Sequence, residues 1–242
     1  MGKQRWEILF EDDHIIVINK PAGLLTIPDR YDPDIPNLLS SLSKYRDNVF
    51  VNHRLDKDTS GIILFSKTEN AHAAFSKIFE ERKIDKKYKA IVHGVPIEEV
   101  GQIELKIAIS KNKRKQMVID QKGKISTTKY RILKSWINHS LLELKIITGR
   151  MHQIRIHMKA INCPIVADST YGIDDAFYLS TIKRKYRKSS NTIEKPLLSR
   201  MALHSHELSF IHPITNKEVV FNAPLPKDMR AVVSQLDKNQ SR

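Results

Sequence analysis

The chain has one cysteine, Cys163, in 242 residues, which excludes an internal disulfide and any CxxC redox or zinc motif built on paired thiols. No run approaches the roughly 20 apolar residues that a membrane-spanning helix needs. The opening MGKQRWEILFEDD also lacks the apolar core of a signal peptide. A cytoplasmic protein with no membrane partner is the expectation, and Cys163, set in INCPIV, reads as a buried structural thiol. No internal repeat is visible.

Acidic residues are also scarce relative to basic ones. Twenty-seven Asp and Glu face 41 Lys and Arg, leaving a formal charge of +14, while 40% of the residues are hydrophobic. That combination describes a folded protein with a polyanionic partner rather than a disordered basic tail. Nucleic acid is the first candidate partner; the competing reading is that a high pI of about 9.7 only aids solubility.

The length suits one large domain or two small ones. It is read as a single domain over 1–242, with a basic connector at 173–200 and a C-terminal tail at 227–242. Short strands alternate with few helices. Residues 15–18 form an apolar strand ending at Lys20-Pro21, where Gly23 allows a tight connection. Over 69–83, Ala71, Ala74, Phe75, Ile78 and Phe79 make one helical stripe, with Thr68 as N-cap. Residues 88–92 read as a strand. Ile103, Leu105, Ile107 and Ile109 alternate with polar residues, as do Leu142, Leu144 and Ile146. Between these, SKNKRKQMVIDQKGK reads as a hairpin or loop with Lys111, Lys113, Arg114 and Lys115 at a positive tip, serving as a solvated face or as a contact to RNA phosphates.

A second helix is expected over 148–162, with Met151, Ile154, Met158 and Ile161 as its buried stripe. Arg155 follows Ile154 by about 100° and lies at the stripe's border. There its stem packs on apolar neighbours and its guanidinium aims at a buried carboxylate, for which Asp56 is the expected partner. His152 and His157 lie about 140° apart on that helix, a poor geometry for one metal ion. His204 and His206 share a strand face, but no third ligand is identifiable, so no metal is expected.

The most informative stretch is 51–68, VNHRLDKDTSGIILFSKT. Residues 49–51 end one strand, 58–61 supply turn residues and 62–65 form a buried strand, so Asp56 projects from a connection at a sheet edge, between Arg54 and Lys57. Two readings fit: a turn closed by Asx-type hydrogen bonds, or a catalytic carboxylate.

HRLDKDTSG with the apolar strand after it resembles the catalytic motif of the RluA-type pseudouridine synthases. INKPAGLL, KKYKAIVHG, TGRMHQIRIHM, CPIVADSTYG and ALHSHELSFIHP resemble further stretches of that family in the same order. The resemblance implies an α+β catalytic fold on a largely antiparallel, mixed central sheet flanked by a few helices. A basic cleft is implied between two halves, with Asp56 at its floor. It further implies isomerisation of specific uridines to pseudouridine in ribosomal or transfer RNA, without cofactor or metal, by a monomer. Asp56 is then the essential carboxylate, Arg54 displaces the target base and holds its place, Tyr88 packs beside that base, and Arg155 keeps Asp56 ionised. Many relatives carry a small RNA-binding domain ahead of the catalytic one; here KPAGLL starts too near Met1 for one to be expected. Whether the Asp attacks the sugar or the base is left open. Two other classes fit more weakly: a non-catalytic RNA-binding module on the same fold, and a metal-dependent hydrolase acting on RNA.

Overall fold

In a computed structural model, which describes residues 6–111, 116–184, 186 and 193–240, the chain divides into two units. The first comprises residues 1–87 and 204–224, and the second residues 88–203 and 225–242.

In the first unit the strands are β1 (Glu7–Glu11), β2 (Ile15–Lys20), β3 (Phe50–Val51) and β4 (Ser60–Ser66), with helices α1 (Leu38–Ser43) and α2 (Glu69–Glu80). β5 (Asp85–His93) leads into the second unit, and β10 (Leu203–Ile211) and β11 (Glu218–Asn222) return to the first. The sheet runs β1-β2-β4-β10, with β3 added to β4 and β11 to β10. Every pairing here is antiparallel except β4 with β10, which is parallel, so the sheet is mixed. β4 is buried along its whole length, as its unbroken SGIILFS composition requires. Ile15, Val17, Ile62 and Leu64 face Ala71 and Phe75 of α2, the two-residue period of the strands meeting the helical stripe. Thr68 caps α2 by accepting the Ala71 N–H at 3.1 Å. The helix ends three residues earlier than its pattern suggested, because Arg82 turns left-handed at φ 58° and the Lys83 N–H folds back to the Ile78 carbonyl.

The second unit carries β6 (Val100–Ile109), β7 (Met117–Ile119), β8 (Lys124–Ser135), β9 (His139–Ile146), α3 (Gln153–Ala160) and α4 (Lys227–Asn239). Its order is β5-β9-β8-β6-β7, with antiparallel β6–β7, β6–β8 and β8–β9 pairs. On either side of the expected hairpin tip, β6 pairs with β7 and the Ser110 N–H donates to Gln116 O. Lys111 is exposed on it, whereas Lys113, Arg114 and Lys115 lie outside the described residues. The expected tail at 227–242 is helical through Asn239, with Met229, Val232 and Leu236 buried and Asp237 accepting from Trp136 Nε1 at 2.8 Å. The 173–200 connector is closed at its base, where Phe177 pairs with Leu198. Half of its KRKYRK stretch (183–188), at 185, 187 and 188, lies outside the described residues.

The helix expected over 148–162 is shorter and buried differently. Thr148 and Arg150 belong to a turn closed by Gln153, whose side-chain oxygen accepts both the Thr148 hydroxyl and the Arg150 N–H. His152 is left-handed at φ 53°, so the helix starts after it and Met151 is 40% exposed instead of buried. All residues of α3 from Gln153 to Met158 are buried, polar ones included. Hydrogen bonds make that possible: Gln153 Nε2 donates to Thr127 O and Thr128 Oγ1, and His157 Nδ1 lies 2.9 Å from Thr128 Oγ1.

Candidate active site

The chain leaves β3 at Val51 and enters β4 at Ser60, and the intervening loop carries Arg54 and Asp56. His53 fixes its first half. Its Nε2 accepts the N–H of Leu64 at 3.0 Å, extending the hydrogen bonding of β4 beyond the end of β3. A nitrogen that accepts cannot carry a proton, and burial, then the charge of Lys86, pushes the His53 pKa down to about 3. The ring packs on Phe79 at 4.9 Å between centroids. From there the extended chain alternates: Arg54 is exposed, Leu55 buried and Asp56 half-buried.

Thr26 clamps the residue before Asp56 in both directions. Its hydroxyl oxygen accepts the Leu55 N–H at 3.2 Å, and the hydroxyl donates to the Leu55 carbonyl at 2.9 Å. On the other side the Asp56 carbonyl accepts the Thr59 N–H at 3.1 Å, closing the turn. The Lys57 carbonyl accepts from the Gly23 N–H at 2.9 Å and from Lys20 Nζ at 3.0 Å. Lys20 is fully buried and donates as well to Pro21 O and Leu24 O, at 3.0 and 2.8 Å. The KPAG turn and the HRLD loop are thereby tied together through an ammonium group. Gly23, at φ +80°, makes the turn that brings its N–H to Lys57. Gly61 is required for a different reason: a Cβ there would lie 2.0 Å from the Ser205 carbonyl oxygen of the paired β10. Backbone anchors on both sides thus fix the place of Asp56 on its loop.

The second unit holds Tyr88 and Arg155. Tyr88, in β5, is buried at 7% exposure, and Ala90, Ile91 and Val92 beyond it are fully buried. Arg155 projects from α3 into a bidentate grip by Asp168: Nε donates to Oδ2 and Nη2 to Oδ1, both at 2.7 Å. The Asp168 Oδ1 also accepts the N–H groups of Thr170 and Tyr171, at 2.9 and 3.1 Å. Burial alone would raise the Asp168 pKa, but the Arg155 hydrogen bond and charge, with those two N–H groups, hold it below the usual carboxylate value. The Tyr171 ring lies under the guanidinium, 4.9 Å from Cζ to centroid.

The carboxylate expected for Arg155 was Asp56; the one that grips it within its own unit is Asp168, which sequence reasoning did not single out. Lys20, Thr26 and His53 were likewise missed as anchors of the Asp56 loop. INKPAGLL and CPIVADSTYG were visible as stretches, but a lysine that binds carbonyls gives no periodic signal. The histidines that invited a metal reading serve hydrogen bonds: His204 and His206 both reach Ala223 O, at 3.3 and 2.8 Å, and His204 Nδ1 pairs with the Ser60 hydroxyl at 3.0 Å. Cys163 is buried, and burial pushes its thiol pKa up.

Comparison with known proteins places the chain in a family. The sequence profile of the family described as RNA pseudouridylate synthase matches residues 14–160, a span that includes Arg54, Asp56, Tyr88 and Arg155. A ribosomal large subunit pseudouridine synthase D of Zymomonas mobilis is 36% identical over 242 residues, covering 95% of this chain and 72% of that protein. A dual-specificity RNA pseudouridine synthase RluA of Vibrio vulnificus is 37% identical over 213 residues, covering 86% and 78%. Among solved structures, the human RNA pseudouridylate synthase domain containing 4 superposes with a TM-score of 0.69 at 22% identity, over 95% of this chain and 92% of that one, a likeness of fold. No helix among the described residues is long and apolar enough to cross a membrane. The chain therefore belongs to the RluA-type branch of the RNA pseudouridylate synthase family, isomerases that act on RNA.

Proposed function

We propose that this enzyme converts specific uridines of large-subunit ribosomal RNA to pseudouridine, with Asp56 as the essential carboxylate. The observation that carries the reading is the half-buried Asp56 on a loop whose backbone is fixed on both sides by Thr26, Thr59 and Lys20. The relatives named for the large ribosomal subunit support that RNA as substrate. The dual-specificity relative makes transfer RNA the second candidate.

In the reaction the bond from ribose C1′ to uracil N1 breaks, C1′ bonds to C5, the proton on C5 leaves and N1 gains one. Atoms balance within the RNA, so the step calls for no cofactor, and no metal is proposed. Breaking a glycosidic bond builds oxocarbenium character on the sugar, which an ionised carboxylate stabilises or captures covalently. The uridine must first leave its stack. The exposed Arg54 has the planar, charged head to fill the vacated position, stacking on bases and pairing with phosphate. Tyr88 is proposed to pack against the target base. Arg155 is proposed to keep the reacting carboxylate ionised; a guanidinium already locked by Asp168 gives up little side-chain entropy in adding a further anionic partner. The β6–β7 hairpin, with Lys111 and the basic residues beyond it, grips phosphates. A monomer working in the cytoplasm, where ribosomal RNA is made and folded, completes the proposal.

The test is pseudouridine mapping by carbodiimide labelling of ribosomal and transfer RNA from cells lacking the gene, complemented with wild type or with Asp56→Asn. A uridine modified only by the wild type supports substrate and carboxylate together. A site restored by Asp56→Asn refutes the role of Asp56. No restored site in large-subunit RNA refutes the substrate.

A further inference from the structure

Tyr171 touches three parts of the second unit: Arg155, the β6–β7 hairpin and the start of α3. Its ring lies under the Arg155 guanidinium at 4.9 Å. Its hydroxyl oxygen accepts the N–H of Met117, the first residue of β7, at 2.7 Å, and shares a hydrogen bond with His152 Nδ1 at 3.0 Å. Met117 begins the return arm of the β6–β7 hairpin, and His152 is the left-handed residue from which α3 springs. Tyr171 is itself held: its N–H donates to the Asp168 carboxylate, and its ring joins Ile107, Met117 and Ile156 in one apolar cluster. Side chain and backbone thus fix a 5%-exposed phenol between the hairpin and the arginine.

We infer that Tyr171 is a positioning residue with two separable tasks: its hydroxyl sets the hairpin for RNA capture, and its ring sets the Arg155 guanidinium for the chemical step. The hydroxyl holds β7 from outside its pairing with β6, so losing it removes one anchor of the hairpin's return arm while Arg155 keeps both its aromatic floor and Asp168. Losing the ring removes that floor. The inference rests on the reading that the hairpin grips RNA.

The experiment measures pseudouridine formation on an unmodified large-subunit ribosomal RNA transcript under steady-state conditions, with melting temperature as a control on folding. Its variants are Tyr171→Phe, Tyr171→Leu, a hairpin variant with Lys111, Lys113, Arg114 and Lys115 changed to Ala, and that hairpin variant combined with Tyr171→Phe. For Tyr171→Phe, KM rises about three- to tenfold, the scale of one lost hydrogen bond, while kcat stays within about twofold. Tyr171→Leu in addition lowers kcat by about tenfold or more. In the hairpin-neutral background the Tyr171→Phe effect on KM disappears, because the hairpin no longer carries the charges through which it binds RNA. A merely structural role lowers melting and active fraction without this split. An unchanged KM in Tyr171→Phe while the hairpin variant does raise KM overturns the inference alone. A full Tyr171→Phe effect that persists in the hairpin-neutral background also overturns it. A hairpin variant with wild-type KM overturns both the phosphate-gripping reading and the inference built on it.

Discussion

Replacing Asp168 by Asn removes one charge from a site that is almost dry. Asp168 is 1% exposed and Arg155 9%, and two contacts of 2.7 Å join them. An Asn side chain turns an NH2 group toward a guanidinium that has only donors, so at least one of those contacts becomes donor against donor. The cost of leaving a buried charge without its counter-ion is about 3–5 kcal/mol. For a chain of this size that corresponds to a melting temperature lower by roughly 10 °C. The pH dependence supplies an independent check. The folded Asp168 pKa lies below the ordinary 3.8, so the stability it contributes is present above 3.8 and is lost as pH falls through the lower folded value. The gap between wild type and Asp168→Asn in urea denaturation should therefore be constant from about pH 5 to pH 8 and close only in stronger acid. A loss below about 1 kcal/mol, or a gap that already closes between about pH 5 and pH 7, would refute the assignment of this pair as a buried structural element.

Lys20→Met should take this donor from the Pro21 and Leu24 carbonyls and leave the Lys57 carbonyl with the Gly23 N–H, costing about 3 kcal/mol and slowing pseudouridine formation as the Asp56 loop loosens; a variant with wild-type melting and turnover would show that the ammonium does not anchor the loop. Gly61→Ala should cost about 4 kcal/mol or more because its Cβ meets the Ser205 carbonyl. Gly23→Ala, at φ +80° with nothing within 4 Å, should cost only about 1–2 kcal/mol, and equal melting temperatures for the two would contradict the packing argument. His53 stays neutral in the fold with a pKa of about 3 against an ordinary 6.5. Its stabilising contribution is complete above 6.5 and declines as pH falls toward 3, by about 1.4 kcal/mol per pH unit. Between pH 6.5 and about pH 5, His53→Gln should lose about 2 kcal/mol less than wild type in urea titrations, and identical slopes would be inconsistent with a desolvated imidazole.

Periodicity decides elements whose stability depends on one face, and those were legible in the sequence. The 69–83 stripe became α2 because Ala71 and Phe75 meet the alternate residues of β2 and β4. The 103–109 alternation became β6, whose Ile103 and Ile107 point inward. The stripe at 148–162 misled because α3 is buried at every residue from Gln153 to Met158, with hydrogen bonds serving its polar side chains. Its start was hidden too, since Gln153 closes the preceding turn through its side chain and leaves His152 left-handed.

The sequence by itself determined the family, the motif residues and the basic charge, because these are properties of residue type and order. The HRLD loop, with Arg54 outward, Leu55 inward and Asp56 between, follows from the two-residue period of an extended chain. Only the tertiary structure decided what holds that loop and what grips Arg155. Lys20 meets Lys57 across 37 positions of chain, Thr26 meets Leu55 across 29, and Asp168 reaches Arg155 from beyond the end of its helix. Such contacts join one side chain to one backbone group or one carboxylate, leave no repeating pattern, and exist only once distant segments have been brought within about 3 Å.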